Sequence, residues 1–155
     1  MKLTFVVALV VFSIPFAAQT GGKSEVFSAK DVKARFVTMV PQAKTPTGST
    51  AMLGDYKTHS IRLVSRTTSG GAEVHNHFDD VIMVTEGTAT IITGGSVVNP
   101  HDEADGEVRG ESVKGGESQA VSVGDVIHIP AGTPHQTVVP AGTQYSAMVV
   151  KVREQ

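Results

Sequence analysis

The chain has 155 residues, no cysteine, and a formal charge of −2 from 13 basic and 15 acidic side chains. A mildly acidic chain without a basic cluster argues against a nucleic-acid partner and against electrostatic docking to a membrane. Without cysteine there is no zinc-finger or iron–sulfur chemistry, so a metal would be held by nitrogen and oxygen alone, and the core must stabilise the fold without disulfides.

The first element in chain order is a leader. Met1 and Lys2 precede a run that is apolar from residue 3 to residue 18, interrupted by Thr4, Ser13 and Pro15. One basic residue before a short apolar run is the layout of a secretory signal peptide. A spanning helix needs roughly 20 apolar residues, and Pro15 fits a cleavage region better than a membrane core. Residues 1–20 are therefore read as a signal peptide cleaved somewhere in 17–20. The mature protein is expected to be secreted or periplasmic, without stable membrane insertion; a retained interfacial anchor is the alternative.

Residues 21–50 are expected to form a short helix and a linker. Ser28-Ala29-Lys30-Asp31 has the Ser-x-x-acid layout of a helix N-terminus, with Val32, Ala34 and Phe36 following. Residues 41–50 are turn-rich and predict a loop. From residue 51 to 155 the pattern is β. Short apolar or alternating segments at 61–65, 72–78, 81–85, 88–92, 119–123, 126–129, 136–139 and 145–152 are separated by Gly, Pro and Asp, which indicates a sandwich or barrel. Residues 81–84 are apolar on both strand faces, so the outer face needs a second sheet or a second subunit, and a homodimer is expected. Residues 94–118 are rich in Gly, Asp and Glu and read as a solvated hairpin extension or mobile loop, the sharper reading being a lid over the barrel mouth. His101 lies in this insert and is expected to be exposed.

Two histidine motifs carry the chemistry. His75-Asn76-His77 puts two imidazoles at i and i+2, which in a strand share one face. His135 follows the turn Pro130-Ala131-Gly132-Thr133-Pro134 and can be aimed at them. Three converging imidazoles make a divalent-metal site, for which Fe, Mn, Ni, Co and Zn are all suitable. Three imidazoles leave one position open on a tetrahedral ion, as metal catalysis requires.

With these residues in view, the stretch from 51 to 152 resembles the cupin superfamily in its small single-domain form. The family's first motif runs Gly, five residues, His-x-His, three or four residues, Glu, six residues, Gly. Here Gly71, His75, His77, Asp80 and Gly87 follow that outline. Three residues separate Gly71 from His75, the gap after His77 is one residue short, and aspartate stands for glutamate. The second motif runs Gly, five residues, Pro-x-Gly-x-x-His, three residues, Asn; Gly124, Pro130, Gly132 and His135 match it, with Val139 in the asparagine place. The resemblance implies an all-β fold, a double-stranded β-helix (cupin-type jelly-roll barrel) with a short N-terminal helix. It also implies one divalent transition metal on His75, His77 and His135, with Asp80 as fourth ligand or as a hydrogen-bond partner of a ligand histidine.

The remaining candidates are plainer. His128 reads as a packing or hydrogen-bonding residue, and His59 has no partner pattern. Val139 would make the cavity drier, and Arg62 and Tyr145 sit in strands, facing either the barrel interior or its outside. There is no Ser-His-Asp arrangement and no nucleotide fingerprint. The functional expectation is a metal-dependent enzyme acting on a small oxygen-bearing molecule by oxygenation, isomerisation or decarboxylation. The alternative is a non-catalytic module that binds a small molecule or carbohydrate.

Overall fold

The structure, a computed structural model, describes residues 22–154; the expected signal peptide lies outside the described residues. Helix α1 spans Ala29–Met39 and begins where Ser28 caps it, the Ser28 hydroxyl accepting from the Asp31 amide at 3.1 Å. Val32 and Phe36 are half-buried and Met39 is buried, so one stripe of the helix packs against β1 (Ser49–Asp55) and β2 (His59–Arg66). A 3₁₀ turn at Val40–Gln42 starts the linker, with Pro41 at its head.

The strands that follow are β3 (Ala72–His75), β4 (Phe78–Thr93), β5 (Ser96–Val98), β6 (His101–Asp102), β7 (Glu107–Gly110), β8 (Ser112–Lys114), β9 (Glu117–Ser122), β10 (Val126–Ile129), β11 (His135–Val138) and β12 (Tyr145–Arg153). Apart from β5 and β8, which pair with each other, the strands form two antiparallel sheets joined by β4, the expected double-sheet barrel. The first half of β4 lies between β12 and β10, giving the order β1-β2-β12-β4-β10. Its second half lies between β9 and β11, giving β9-β4-β11-β3-β7-β6. The segments expected as two strands, 81–85 and 88–92, are therefore one strand that changes sheets. Gly87 makes the change: its φ is +72°, and a Cβ there would lie 1.8 Å from the Gln144 carbonyl oxygen. Only glycine combines that conformation with that approach.

Alternation along β4 decides what is core. Ile82, Val84, Ala89 and Ile91 are buried and pack with Val121, Ile129, Val139, Tyr145, Ala147 and Val149. Each such side chain contributes roughly 1.5–3 kcal/mol when fully buried, less for alanine. Val81 and Met83 point the other way. Met83 stays 37% exposed beside Val126, its register partner on β10, which is 63% exposed. The helix covers the β1–β2 end of this outer face, where Leu63 is fully buried, and leaves the Met83 end open.

The acidic insert is not a free loop. β7 pairs with β3, and β5 pairs with β8. Gln136 ties it down from inside, accepting from the Val113 amide at 3.1 Å and donating to the Gly70 carbonyl at 2.8 Å. The pairing of β7 beside β3 brings Glu107 and Arg109 to the mouth of the barrel. A cavity of about 510 Å³ opens between the sheets.

Candidate metal centre

Glu73 and His75 alternate along β3 and so share its inward face. The strand then ends, and Asn76-His77 form the turn into β4. That turn overturns the expected strand-face pairing of His75 with His77. His77 is exposed, and its ring lies against Gly106, where an added Cβ would come within 2.6 Å of the imidazole. The structure brings together His75, Asp80 and His135 and does not bring His77 to them. Glu73 stands in its place.

Three of these side chains present donors to one point, and Asp80 reaches the two histidines from beside them. Donor atoms of Glu73, His75 and His135 all lie within 4.8 Å of one another. The Nε2 of His75 is 3.6 Å from Glu73 Oε2 and 3.3 Å from Asp80 Oδ2; that of His135 is 4.0 Å and 3.9 Å from the same atoms. Bonds of about 2.0–2.2 Å to one ion put neighbouring donors roughly 3–3.5 Å apart, so small side-chain adjustments would let one ion reach the group.

Surrounding contacts aim these donors. The His75 Nδ1–H donates to Glu107 Oε2 at 2.5 Å, and the His135 Nδ1–H donates to the Thr133 carbonyl at 3.0 Å. Both rings therefore turn Nε2 inward, the arrangement that fixes the tautomer of ligand histidines. Glu73 Oε1 is occupied by Arg109 at 2.7 Å and Arg66 at 3.3 Å, leaving Oε2 for the cluster. Asp80 Oδ1 is buried without a hydrogen bond, 3.9 Å from the Lys151 ammonium.

Ionisation follows the same contacts. Burial would raise Glu107, but its hydrogen bond from His75 and the nearby charges of His75, Lys151 and Arg109 hold it at about 2. Burial likewise opposes ionisation of Glu73 and Asp80, and the cations win: Arg109 and Arg66 lower Glu73, while His75 and Lys151 lower Asp80. Burial pushes His75 down, yet its bonds to Asp80 and Glu107 raise it on balance. His135, more enclosed and beside His75, is lowered chiefly by burial. The cluster is thus two ionised carboxylates around two imidazoles, a donor set that fits a divalent transition ion.

The other histidines lie elsewhere. His128 is on the outer face, 3.6 Å from Asp79, and His59 stacks on Tyr56 with centroids 4.8 Å apart. His101 is exposed at the cavity rim with Glu103. Val139 packs in the core instead of drying the cavity. Arg62 and Tyr145 face inward and line it. Sequence reasoning missed Glu73, Glu107 and Arg109. For Glu73 a signal existed: counted from Glu73-Val74-His75, the gap to Asp80 is four residues and Gly87 follows after six, both within the family spacing.

No protein-family model and no curated protein matches the sequence. Solved structures do. The BH2720 protein of Bacillus halodurans is 19% identical with a TM-score of 0.59, over 88% of this chain and 86% of that one. A cupin-2 domain protein of Shewanella frigidimarina is 16% identical with a TM-score of 0.51, over 79% and 92%. The DMSP lyase DddQ of Ruegeria pomeroyi is 14% identical with a TM-score of 0.50, over 68% of this chain and 47% of that one. At such identities the likeness establishes the fold: a small single-domain cupin barrel.

Proposed function

We propose that this cupin barrel is exported, holds one divalent transition metal on Glu73, His75, Asp80 and His135, and acts on a small oxygen-bearing molecule in its cavity. The observation that carries the reading is the paired orientation of the donors. Each histidine has Nδ1 tied outward and Nε2 turned inward, and Glu73 has one oxygen tied to arginines and the other turned inward. Mixed imidazole and carboxylate ligands suit Fe, Mn, Co, Ni and Zn, and two histidines with one carboxylate recur in non-haem iron oxygenases. Bound there, the ion would supply Lewis acidity, polarising a substrate oxygen or activating water.

The chain's own groups define the rest. Burial pushes the Tyr145 phenol up to about 12 against the opposing charge of Arg66. It therefore stays protonated and can donate a hydrogen bond to a substrate oxygen. The cavity walls of Val64, Ile82, Ala147 and Val149 exclude water from one side. Oxygenation, isomerisation and decarboxylation remain the reaction classes. Lyase chemistry joins them by analogy with the DMSP lyase of similar fold.

Two further parts of the proposal rest on sequence and surface. The leader pattern in residues 1–20 carries the export reading. The uncovered Met83–Val126 face carries a homodimer joined through the outer sheet. The test of function is metal analysis of protein loaded with each candidate ion, followed by oxygen-consumption and product screens. Stoichiometric metal with turnover lost on chelation is the expected result. Stoichiometric metal without turnover of any substrate would make the barrel a binding module, and failure to retain any ion would remove the metal reading.

A further inference from the structure

Four cationic side chains line the cavity: Arg62, Arg66, Arg109 and Lys151. Three are answered by carboxylates. Arg66 meets Glu73, Arg109 meets Glu73, Glu103 and Glu107, and Lys151 meets Asp80 and Glu107. Arg62 is different. Among the described residues no carboxylate lies within 4.0 Å of its guanidinium, whose hydrogen-bond partner is the Ser60 hydroxyl at 3.1 Å from Nη2. Its Nε is fully buried and has no partner. The residue as a whole is half-buried at the cavity wall, and a buried N–H left unmet is costly unless something else meets it.

Its surroundings describe that something. Arg62 lies opposite Val149 on β12, and Val149 lies opposite Ile82 on β4, so the wall beside it is apolar. The cluster lies across those two strands, about 10 Å away at the usual ~4.8 Å strand spacing. A second cation shares the space: Lys151 lies opposite Asp80 on the neighbouring strand, its ammonium 3.9 Å from Asp80 Oδ1 and 3.3 Å from Glu107 Oε1. Lys151 has carboxylate partners and Arg62 has none, so the place for an anionic group is at Arg62. A guanidinium edge offers parallel N–H groups that fit a carboxylate in bidentate fashion.

We infer that the ligand of this cavity is a small carboxylic acid with a short hydrocarbon body, its carboxylate held by Arg62 and its other, oxygen-bearing end directed at the Glu73–His75–Asp80–His135 cluster. Only the second half of that statement rests on the metal reading. Arg62 is then the specificity-determining residue: it selects an anion over a neutral molecule of the same shape and sets which end approaches the cluster.

The experiment titrates metal-loaded full-length mature protein with linear ω-hydroxycarboxylates of three to six carbons and with their amides, by calorimetry. Acids should bind at least about 10-fold more tightly than the matching amides, as a charged hydrogen-bond pair in an apolar site requires. Arg62→Gln should abolish that preference and leave metal content unchanged, while Arg62→Lys keeps part of it. Circular dichroism and thermal unfolding confirm that both variants fold. Equal binding of acids and amides, or no binding of either, overturns the inference. So does an acid preference that survives in folded Arg62→Gln, because the carboxylate would then sit on the metal. The same titrations on protein without metal separate the two claims. An acid preference that depends on Arg62 in a protein retaining no ion would sink the metal reading and keep this one.

Discussion

Replacing Glu107 with glutamine isolates the support behind His75. The native carboxylate accepts from His75 Nδ1, and its neighbours Lys151 and Arg109 lie at 3.3 and 3.2 Å. A fall from 4.5 to about 2 would correspond to about 3.4 kcal/mol at ~1.36 kcal/mol per unit. The side chain keeps 16% exposure and glutamine preserves an acceptor, so solvent screening reduces the expected loss to ~1.5–2 kcal/mol. The sign sets the pH window. A carboxylate lowered by folding stabilises the native state above its unfolded value of 4.5, and that contribution disappears as pH falls toward 2. Urea unfolding of metal-free wild type and Glu107→Gln should therefore diverge at pH 7 and converge as pH drops below 4.5. In the loaded protein the same change should weaken metal binding by about 10–100-fold, because the ring loses its orienting partner. Equal stability differences at pH 7 and pH 3, with unchanged metal affinity, would refute the reasoning.

Gly87→Ala should destabilise the barrel by ~2 kcal/mol or more, combining positive-φ strain with the 1.8 Å approach to Gln144; a urea midpoint within error of wild type would contradict the account of how β4 changes sheets. Val126→Asp places a charge beside Met83 on the uncovered face and should convert the proposed dimer to a monomer in light scattering at micromolar concentration, with an unchanged circular dichroism spectrum. Wild type that is already monomeric would remove the dimer.

The barrel was readable because its strands are short, alternating and bounded by Gly and Pro, and the helix because Ser28 and Asp31 announce a cap. That His75, Asp80 and His135 lie together was readable because their chemistry and spacing coincide. His77 misled for a physical reason: the i, i+2 rule holds only while the strand continues, and the turn at Asn76 ends it one residue after His75. Glu73 obeys the rule on the other side. Glu107 and Arg109 were hidden because nothing local marks them. They reach the site through the pairing of β7 with β3, across a stretch whose Gly and acidic content reads as solvent-exposed loop. The inward direction of Arg62 and Tyr145 was equally hidden, since alternation defines two faces of a strand without saying which one meets the cavity.

The most direct measurement is metal stoichiometry, by elemental analysis after identical loading, of Glu73→Ala and His77→Ala beside wild type, with circular dichroism to confirm folding. Glu73→Ala removes an inward donor 3.6 Å from His75 Nε2, whereas His77→Ala removes an exposed ring in a turn. The expected result is loss of most bound metal in Glu73→Ala and full retention in His77→Ala. Folded Glu73→Ala that keeps its metal while His77→Ala loses it would contradict the account and put the centre on the His75–His77 pair.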